Sequence, residues 1–125
     1  MSMETPLHRV QGLGPAHSGT QHFWRQRITA VALIPLTVWF VISALAFVGA
    51  PGFAVDTFFQ HPMNAALMGI FVVILLYHMV IGLQSVIDDY AHSDGWKIVL
   101  LLLSRAFAIV VGVASIIALL RIAIA

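Results

Sequence analysis

Three apolar stretches, each long enough to cross a bilayer as a helix, constrain the fold of this chain more than any other feature. They run from about residue 27 to 48, from 63 to 90 and from 96 to 120. About 20 apolar residues in a helix span the hydrocarbon core. Of the 125 residues, 61% are hydrophobic and 9% are charged, and a soluble domain of this size could not bury that much apolar surface. The sequence therefore predicts an all-α integral membrane protein with three transmembrane helices.

Charge and cysteine content exclude several classes of function. The formal net charge is +1, so the basic surface that a nucleic-acid-binding protein needs is absent. The chain contains no cysteine, which excludes disulfides, thiolate-bound iron–sulfur clusters and covalently attached c-type haem on this chain. A metal held by this chain would need His, Met, Tyr or carboxylate ligands.

The chain divides into a polar tail, residues 1–26, and a three-helix membrane anchor, residues 27–125. The apolar run after Arg27 is too long for the apolar part of a secretory signal, so we expect the tail to be retained. We expect it to lie on the membrane surface. Phe23 and Trp24, next to Arg25 and Arg27, form an aromatic and cationic pattern typical of the headgroup region.

The basic residues predict the orientation of the chain. With three spans, the tail and the turn at residues 91–95 lie on one side of the membrane. That side holds Arg9, Arg25, Arg27 and Lys97, whereas the connection at residues 49–62 holds neither Lys nor Arg. Positively charged segments stay on the cytoplasmic side. The N-terminus is therefore predicted to be cytoplasmic, or on the matrix side in a mitochondrion.

A polar stripe runs along the second apolar stretch. His78, Gly82, Ser85 and Asp89 share one face of a helix at about 100° per residue, and most of the other positions are Val, Ile, Leu or Met. Such a stripe should face protein, a cofactor or water rather than lipid.

His78 lies near the middle of this span, where two interpretations remain open. It is either an axial ligand of a b-type haem, since imidazole suits iron, or a side chain that hydrogen-bonds to a neighbouring helix. Gly82, one turn further on the same face, leaves room for a flat macrocycle. Because the chain has no second mid-membrane histidine, a haem with two histidine ligands would need the second from another chain.

Asp89 and Tyr90 lie about 17 Å further along the helix, so they define a separate candidate site at the cytoplasmic interface. A phenol can donate a hydrogen bond to a quinone carbonyl, and a neighbouring carboxylate can position it or relay protons. The alternative is an ordinary polar helix end, which is the interpretation we favour for Asp88. Carboxylates at a helix C-terminus oppose the helix dipole, so a compensating cation is expected from Arg27 or from a partner chain.

Two arginines are candidates for binding carboxylates. Guanidinium groups suit the propionates of a haem, and we favour that role for Arg27 over an interfacial charge. Arg105, inside the third span, has no assigned role. Its alternatives are a side chain that reaches towards the interface or an ion pair with Asp88 or Asp89.

Two motifs, in this order and at this spacing, resemble one known family. The stretch from His78 through Gly82 to Asp89-Tyr90 looks like the second helix of the small hydrophobic membrane-anchor subunit of succinate dehydrogenase, respiratory complex II. The segment from Gly19 to Ala30, with its Arg-x-Thr-Ala helix start, resembles the beginning of the same subunit in an alphaproteobacterial form. Together they cover nearly the whole chain.

The resemblance implies a role for four residues. His78 matches the axial ligand of haem b, whose other ligand is on the partner cytochrome b subunit. Tyr90 matches the tyrosine that hydrogen-bonds the ubiquinone carbonyl, and Asp89 matches the adjacent acid. Arg27 matches the arginine near the haem propionates. The sequence departs from some relatives around Gln21-His22 and after Tyr90. His22 therefore receives no haem role, and His92 stays only a candidate near the quinone site.

The resemblance also implies the function of the whole protein. The chain would anchor the flavoprotein and iron–sulfur subunits at the bacterial inner membrane, as a multi-pass subunit packed against a three-helix cytochrome b subunit. It would share the haem and form part of the ubiquinone site, passing electrons from succinate in the tricarboxylic acid cycle to the respiratory chain. FAD and the iron–sulfur clusters would reside in the partner subunits, and this chain alone would carry no catalytic residue for succinate oxidation.

Three other functions are compatible with the same residues. A fumarate reductase anchor would look similar. A small proton-relay or transport subunit would use His78 and Asp89 and bind no haem. A purely structural subunit would use His78 to hold two helices together.

Overall fold

The structure is a computed structural model that describes residues 5–7 and 17–125. Its helices are α1 (His17–Ala46), α2 (Phe53–Gln60), α3 (Pro62–Tyr90) and α4 (Asp94–Ile124), and these described residues contain no β-strand. α3, α4 and the Gly19–Ala46 part of α1 are long and apolar enough to cross a membrane. This confirms the all-helical fold class with three membrane-length helices.

The helix boundaries follow local sequence signals. Pro62 is the first residue of α3, where its missing N–H would be unpaired in any case. After α1 ends, Gly49 adopts a positive φ of 78°, a conformation that glycine adopts without strain. α1 continues through Pro35, as membrane helices allow.

The helical part of the chain begins earlier than the apolar pattern does. Residues 17–26, assigned from the sequence to the polar tail, form the first turns of α1. Their place at the membrane surface stays a prediction. Residues 1–4 and 8–16 of the tail, which include Arg9 from the orientation argument, lie outside the described residues.

α3 is the central helix of the arrangement. It packs against α1 on one side and α4 on the other, and the described parts of α1 and α4 do not pack against each other. The short helix α2 packs against α3 and α4. The three long helices thus form an open layer rather than a closed bundle.

Few apolar side chains are buried within the chain itself. Among the described residues, the buried hydrophobic side chains are Leu33 in α1 and Phe71 and Ile81 in α3. Large apolar residues are exposed along all three long helices. Lipid or other membrane-spanning subunits are the surroundings that such surfaces require.

An aromatic cluster joins the short helix to the end of α1. The Phe58 ring of α2 stacks on Trp39 at a centroid distance of 6.2 Å and meets Phe47 edge-on at 5.2 Å. Phe59 lies edge-on to Phe58 at 5.1 Å. These contacts hold α2 against α1 and the turn that follows it.

Close packing of α3 against α4 depends on a small residue. A Cβ added to Gly112 would lie 3.2 Å from Leu76 Cδ1, tighter than an ordinary van der Waals contact. Small residues let membrane helices approach closely. Gly112 is also the second small residue of an Ala108-x-x-x-Gly112 pattern, which is typical of closely packed membrane helices.

We predict that Gly112→Ile destabilises the contact between α3 and α4, because the branched side chain meets Leu76. Overpacking of this kind costs about 1–3 kcal/mol. The matched control is Ala114→Ile, which adds a branched side chain at an exposed position of the same helix. Thermal denaturation of both variants in detergent measures the effect. Equal midpoints for the two variants would contradict the prediction.

Candidate functional site

Two side-chain hydrogen bonds join α1 to α3. Thr29 Oγ1 lies 2.8 Å from His78 Nδ1, and His22 Nε2 lies 2.8 Å from Ser85 Oγ. We call these four residues the polar seam. The two bonds are separated by seven residues on each helix, as expected where antiparallel helices pair side by side, and lie about 10 Å apart. The seam confirms that the polar stripe of α3 faces protein at His78 and Ser85.

Gly82 lies on the same stripe, between the two hydrogen bonds of the polar seam. It is half-buried, and a Cβ added to it would meet no atom of the structure within 4 Å. This differs from Gly112, where α3 and α4 are in close contact. Gly82 therefore leaves open space one helical turn from His78.

His78 is held through one of its two ring nitrogens. Its side chain is half-buried, and Nδ1 is bonded to the Thr29 hydroxyl. That hydroxyl is also 2.7 Å from the Arg25 carbonyl oxygen and 3.1 Å from that of Gln26. Within the described part of the chain, Nε2 of His78 has no hydrogen-bond partner. The imidazole thus presents one nitrogen to α1 and leaves the other available.

Asp89 and Tyr90 lie at the other candidate site, at the C-terminal end of α3. Both side chains are exposed, and 75% of the Tyr90 surface is accessible. They are about 17 Å along the helix from His78. The structure therefore separates the predicted haem ligand from the predicted quinone-binding residues, as expected from their spacing.

A lysine compensates the negative end of α3. Lys97 Nζ lies 2.7 Å from Asp88 Oδ1, with 36% and 41% of the two side chains accessible. The sequence predicts Arg27 or a partner chain for this purpose, and it leaves Asp88 or Asp89 as a possible ion-pair partner of Arg105. Lys97 takes that place because the short turn between α3 and α4 brings the two helix ends together. At this exposure solvent screens the two charges, so the pair adds little to stability.

Arg27 is not part of the polar seam. Its guanidinium carbon lies 4.9 Å from the centroid of the Phe23 ring, and its side chain is exposed. At about 100° per residue, Arg27 and Thr29 are about 200° apart around α1. Arg27 therefore faces away from His78 within this chain and is accessible to groups outside it.

Arg105 lies in the groove between α3 and α4. It lines an apolar cavity of about 590 Å³, together with Tyr77, Val80 and small residues that include Ala108 and Gly112. In the described residues it forms no ion pair. The alternative of an ion pair with Asp88 or Asp89 therefore has no support, since Asp88 is paired with Lys97 instead.

Two members of the polar seam were missed by sequence reasoning. Thr29 was noted as part of an Arg-x-Thr-Ala motif without a role, and His22 was left unassigned. The signal that could have found them is spacing. Thr29 and His22 are as far apart in α1 as His78 and Ser85 are in α3, so antiparallel helices can pair both at once.

Comparisons with known proteins agree on one family. Residues 1–120 match the profile of the succinate dehydrogenase/fumarate reductase transmembrane subunit. The chain is 34% identical to a succinate dehydrogenase hydrophobic membrane anchor subunit of Paracoccus denitrificans, over 94% of this chain and 90% of that one. A protein of the same name from Rickettsia bellii is 31% identical, with 88% of each chain covered.

A third relative carries a similar name. The succinate dehydrogenase membrane anchor subunit of Reclinomonas americana is 30% identical, over 74% of this chain and 79% of that one. No solved structure matches the chain significantly.

We predict that the two ends of the His22–Ser85 hydrogen bond are energetically coupled. In a double-mutant cycle with His22→Ala and Ser85→Ala, the coupling energy should be about 0.6 kcal/mol, typical of hydrogen bonds between membrane helices. The control pairs His22→Ala with Ser104→Ala, because Ser104 bonds to the Leu101 carbonyl of its own helix. Thermal stability in detergent gives both values. If the effects of His22→Ala and Ser85→Ala on stability are additive, the hydrogen bond contributes nothing to the stability of the protein.

Proposed function

We propose that this chain, which belongs to the succinate dehydrogenase/fumarate reductase transmembrane subunit family, anchors the enzyme in the membrane. It would also share a b-type haem and form part of the ubiquinone-reduction site. The observation that carries the haem part is His78. Its Nδ1 is bonded to Thr29, and its Nε2 has no partner among the described residues.

The residues around His78 fit one side of a haem. In the described part of the chain, no group of three or more His, Cys, Asp or Glu side chains could hold a metal ion. A haem needs no such group, since its macrocycle supplies four ligands and the protein supplies the axial ones. His78 would supply one axial nitrogen, and the open space at Gly82 suits a flat ring. Bound there, the haem would supply a one-electron redox centre within the membrane.

The second axial ligand would come from the partner cytochrome b subunit. The apolar surfaces that α1, α3 and α4 leave exposed are available to such a partner. Arg27 is exposed near the start of the apolar part of α1 and contacts the Phe23 ring. A haem propionate would reach its guanidinium from outside this chain, on the side of α1 that faces away from His78. We propose that role for Arg27.

Tyr90 and Asp89 would form this chain's part of the ubiquinone site. The phenol of Tyr90, exposed at the end of α3, can donate a hydrogen bond to a quinone carbonyl. Asp89 is exposed beside it and can accept a proton or position the phenol. Asp88 is already paired with Lys97, which leaves Asp89 as the carboxylate available to this site.

The chain would bind the soluble part of the enzyme from the cytoplasmic side of a bacterial inner membrane. That side would hold the N-terminus and the turn between α3 and α4. The flavoprotein and iron–sulfur subunits would carry FAD and the clusters, because a chain without cysteine offers no thiolate ligands. Electrons from succinate would then reach ubiquinone close to Tyr90.

Two other functions are weighed against this one. The family description covers fumarate reductase as well, but the relatives from Paracoccus denitrificans and Rickettsia bellii carry the succinate dehydrogenase name. A purely structural role for His78 is favoured by the Thr29–His78 hydrogen bond itself. Optical spectra separate that role from haem ligation.

We predict that His78→Ala removes or shifts the α band of a b-type haem in the reduced-minus-oxidised spectrum of the detergent-purified complex. The reason is the loss of an axial ligand. The matched control is His61→Ala, an exposed histidine that precedes α3 and makes no side-chain capping bond. Identification of the co-purifying chains completes the experiment. A wild-type complex without haem, or a band that His78→Ala leaves unchanged, would refute His78 as a ligand.

We predict that Tyr90→Phe slows ubiquinone reduction several-fold and leaves the haem band intact. The substitution removes a hydrogen bond of about 1 kcal/mol, and the two sites lie about 17 Å apart along α3. Tyr77→Phe, on the same helix and also exposed, is the control. Steady-state rates with a water-soluble quinone give the result. Loss of the haem band in Tyr90→Phe would show that the sites are not separate.

A further inference from the structure

We infer that Thr29 is a positioning residue for His78, whose hydroxyl accepts the Nδ1–H of the imidazole and thereby keeps the Nε2 lone pair free for iron. The inference rests on the proposed function, because it assumes that His78 binds haem. It goes beyond that function by assigning the tautomer of the ligand and the residue that selects it.

The assignment comes from counting protons. Thr29 Oγ1 lies 2.7 Å from the Arg25 carbonyl oxygen, the usual separation for an O–H···O hydrogen bond. Two oxygens this close need a proton between them, and a carbonyl has none to give. The single hydroxyl proton of Thr29 is therefore donated to Arg25.

The direction of the hydrogen bond between Thr29 and His78 then follows. With its proton used, Thr29 Oγ1 can act towards His78 Nδ1, 2.8 Å away, as an acceptor alone. Nδ1 must therefore carry the imidazole proton. In a neutral imidazole the other nitrogen, Nε2, is then unprotonated, and this is the form that coordinates a metal.

The other bond of the polar seam does not impose a tautomer in this way. Ser85 Oγ lies 3.3 Å from the Ile81 carbonyl oxygen, longer than the usual range for a hydroxyl donor. The Ser85 proton is thus free to point towards His22 Nε2, 2.8 Å away. The fixed tautomer is specific to the Arg25–Thr29–His78 arrangement.

A hydrogen-bond acceptor at Nδ1 also changes what the ligand does. Bonding of this N–H makes the metal-bound nitrogen more basic and fixes the ring orientation. A more basic ligand stabilises ferric over ferrous iron. Thr29 should therefore increase haem retention and lower the haem potential.

The experiment compares three substitutions in the detergent-purified complex. Thr29→Val removes the hydroxyl at nearly constant shape, and Thr29→Ser retains it. Thr57→Val is the control, because Thr57 donates to the Phe53 carbonyl at 2.9 Å in the same way but has no histidine partner. The readouts are haem content, the haem midpoint potential and the EPR spectrum of the oxidised haem.

We expect Thr29→Val to raise the haem midpoint potential and to shift the low-spin EPR signal. Loss of such a supporting group typically costs 10–100-fold in metal affinity. If ferric binding weakens tenfold more than ferrous binding, the potential rises by about 59 mV. Thr29→Ser and Thr57→Val should resemble wild type. If the Thr29→Val complex does not assemble, Thr29→Ala can be compared with Thr29→Ser instead. These two variants differ only in the hydroxyl oxygen, so they make the same comparison.

The outcomes separate the inference from the proposal on which it rests. Suppose that His78→Ala alters the haem, but that neither Thr29→Val nor Thr29→Ala changes its midpoint potential or EPR spectrum. That result would overturn the role of Thr29 and leave the proposed role of His78 in place. A shift of the same size in Thr29→Ser would also overturn it, because the hydroxyl would then be irrelevant. A wild-type complex without haem would overturn both.

Discussion

The hydrogen bonds of the polar seam are the interactions on which the arrangement of the candidate site depends. Apolar contacts between membrane helices gain little specificity, because lipid is as apolar as the side chains. A histidine placed in such a layer must find a partner, since an unpaired polar group costs more there than in water. Pairing His78 with Thr29 and Ser85 with His22 gives one ring nitrogen of each histidine a partner. These two bonds fix the register of α1 against α3, and with it the side of α3 that remains open at Gly82.

The open arrangement of the helices explains why this chain is expected to work in an assembly. α3 contacts both α1 and α4, but α1 and α4 do not pack against each other in the described structure. Apart from Leu33, Phe71 and Ile81, the large hydrophobic side chains in that part are not fully buried. A single layer of helices has two broad apolar faces, and a partner subunit that covers one of them would also enclose whatever His78 binds. An open layer in which His78 Nε2 has no partner among the described residues is what the proposed shared haem would require.

The sequence predicted the fold class and its polar stripe, but not the partners of that stripe. Apolar length alone predicts three membrane helices, and the described residues contain three helices of that length. Helical periodicity placed His78 and Ser85 on one face. It could not say which residues of α1 lie opposite, because that depends on the register between helices. Asp88 was given the wrong partner for a similar reason: Lys97 is close in space because of the turn between α3 and α4.

The Thr29 hydroxyl suits a histidine within a membrane because it can accept a hydrogen bond without carrying a charge. A carboxylate would accept the Nδ1–H strongly, but it would place a charge in the apolar layer at a large cost. A hydroxyl is neutral, yet it selects the tautomer only if its own proton has another acceptor. The carbonyl of Arg25, one turn earlier in the same helix, supplies that acceptor. Threonine four residues after a helical carbonyl therefore meets each requirement, and it does so with residues of α1 alone.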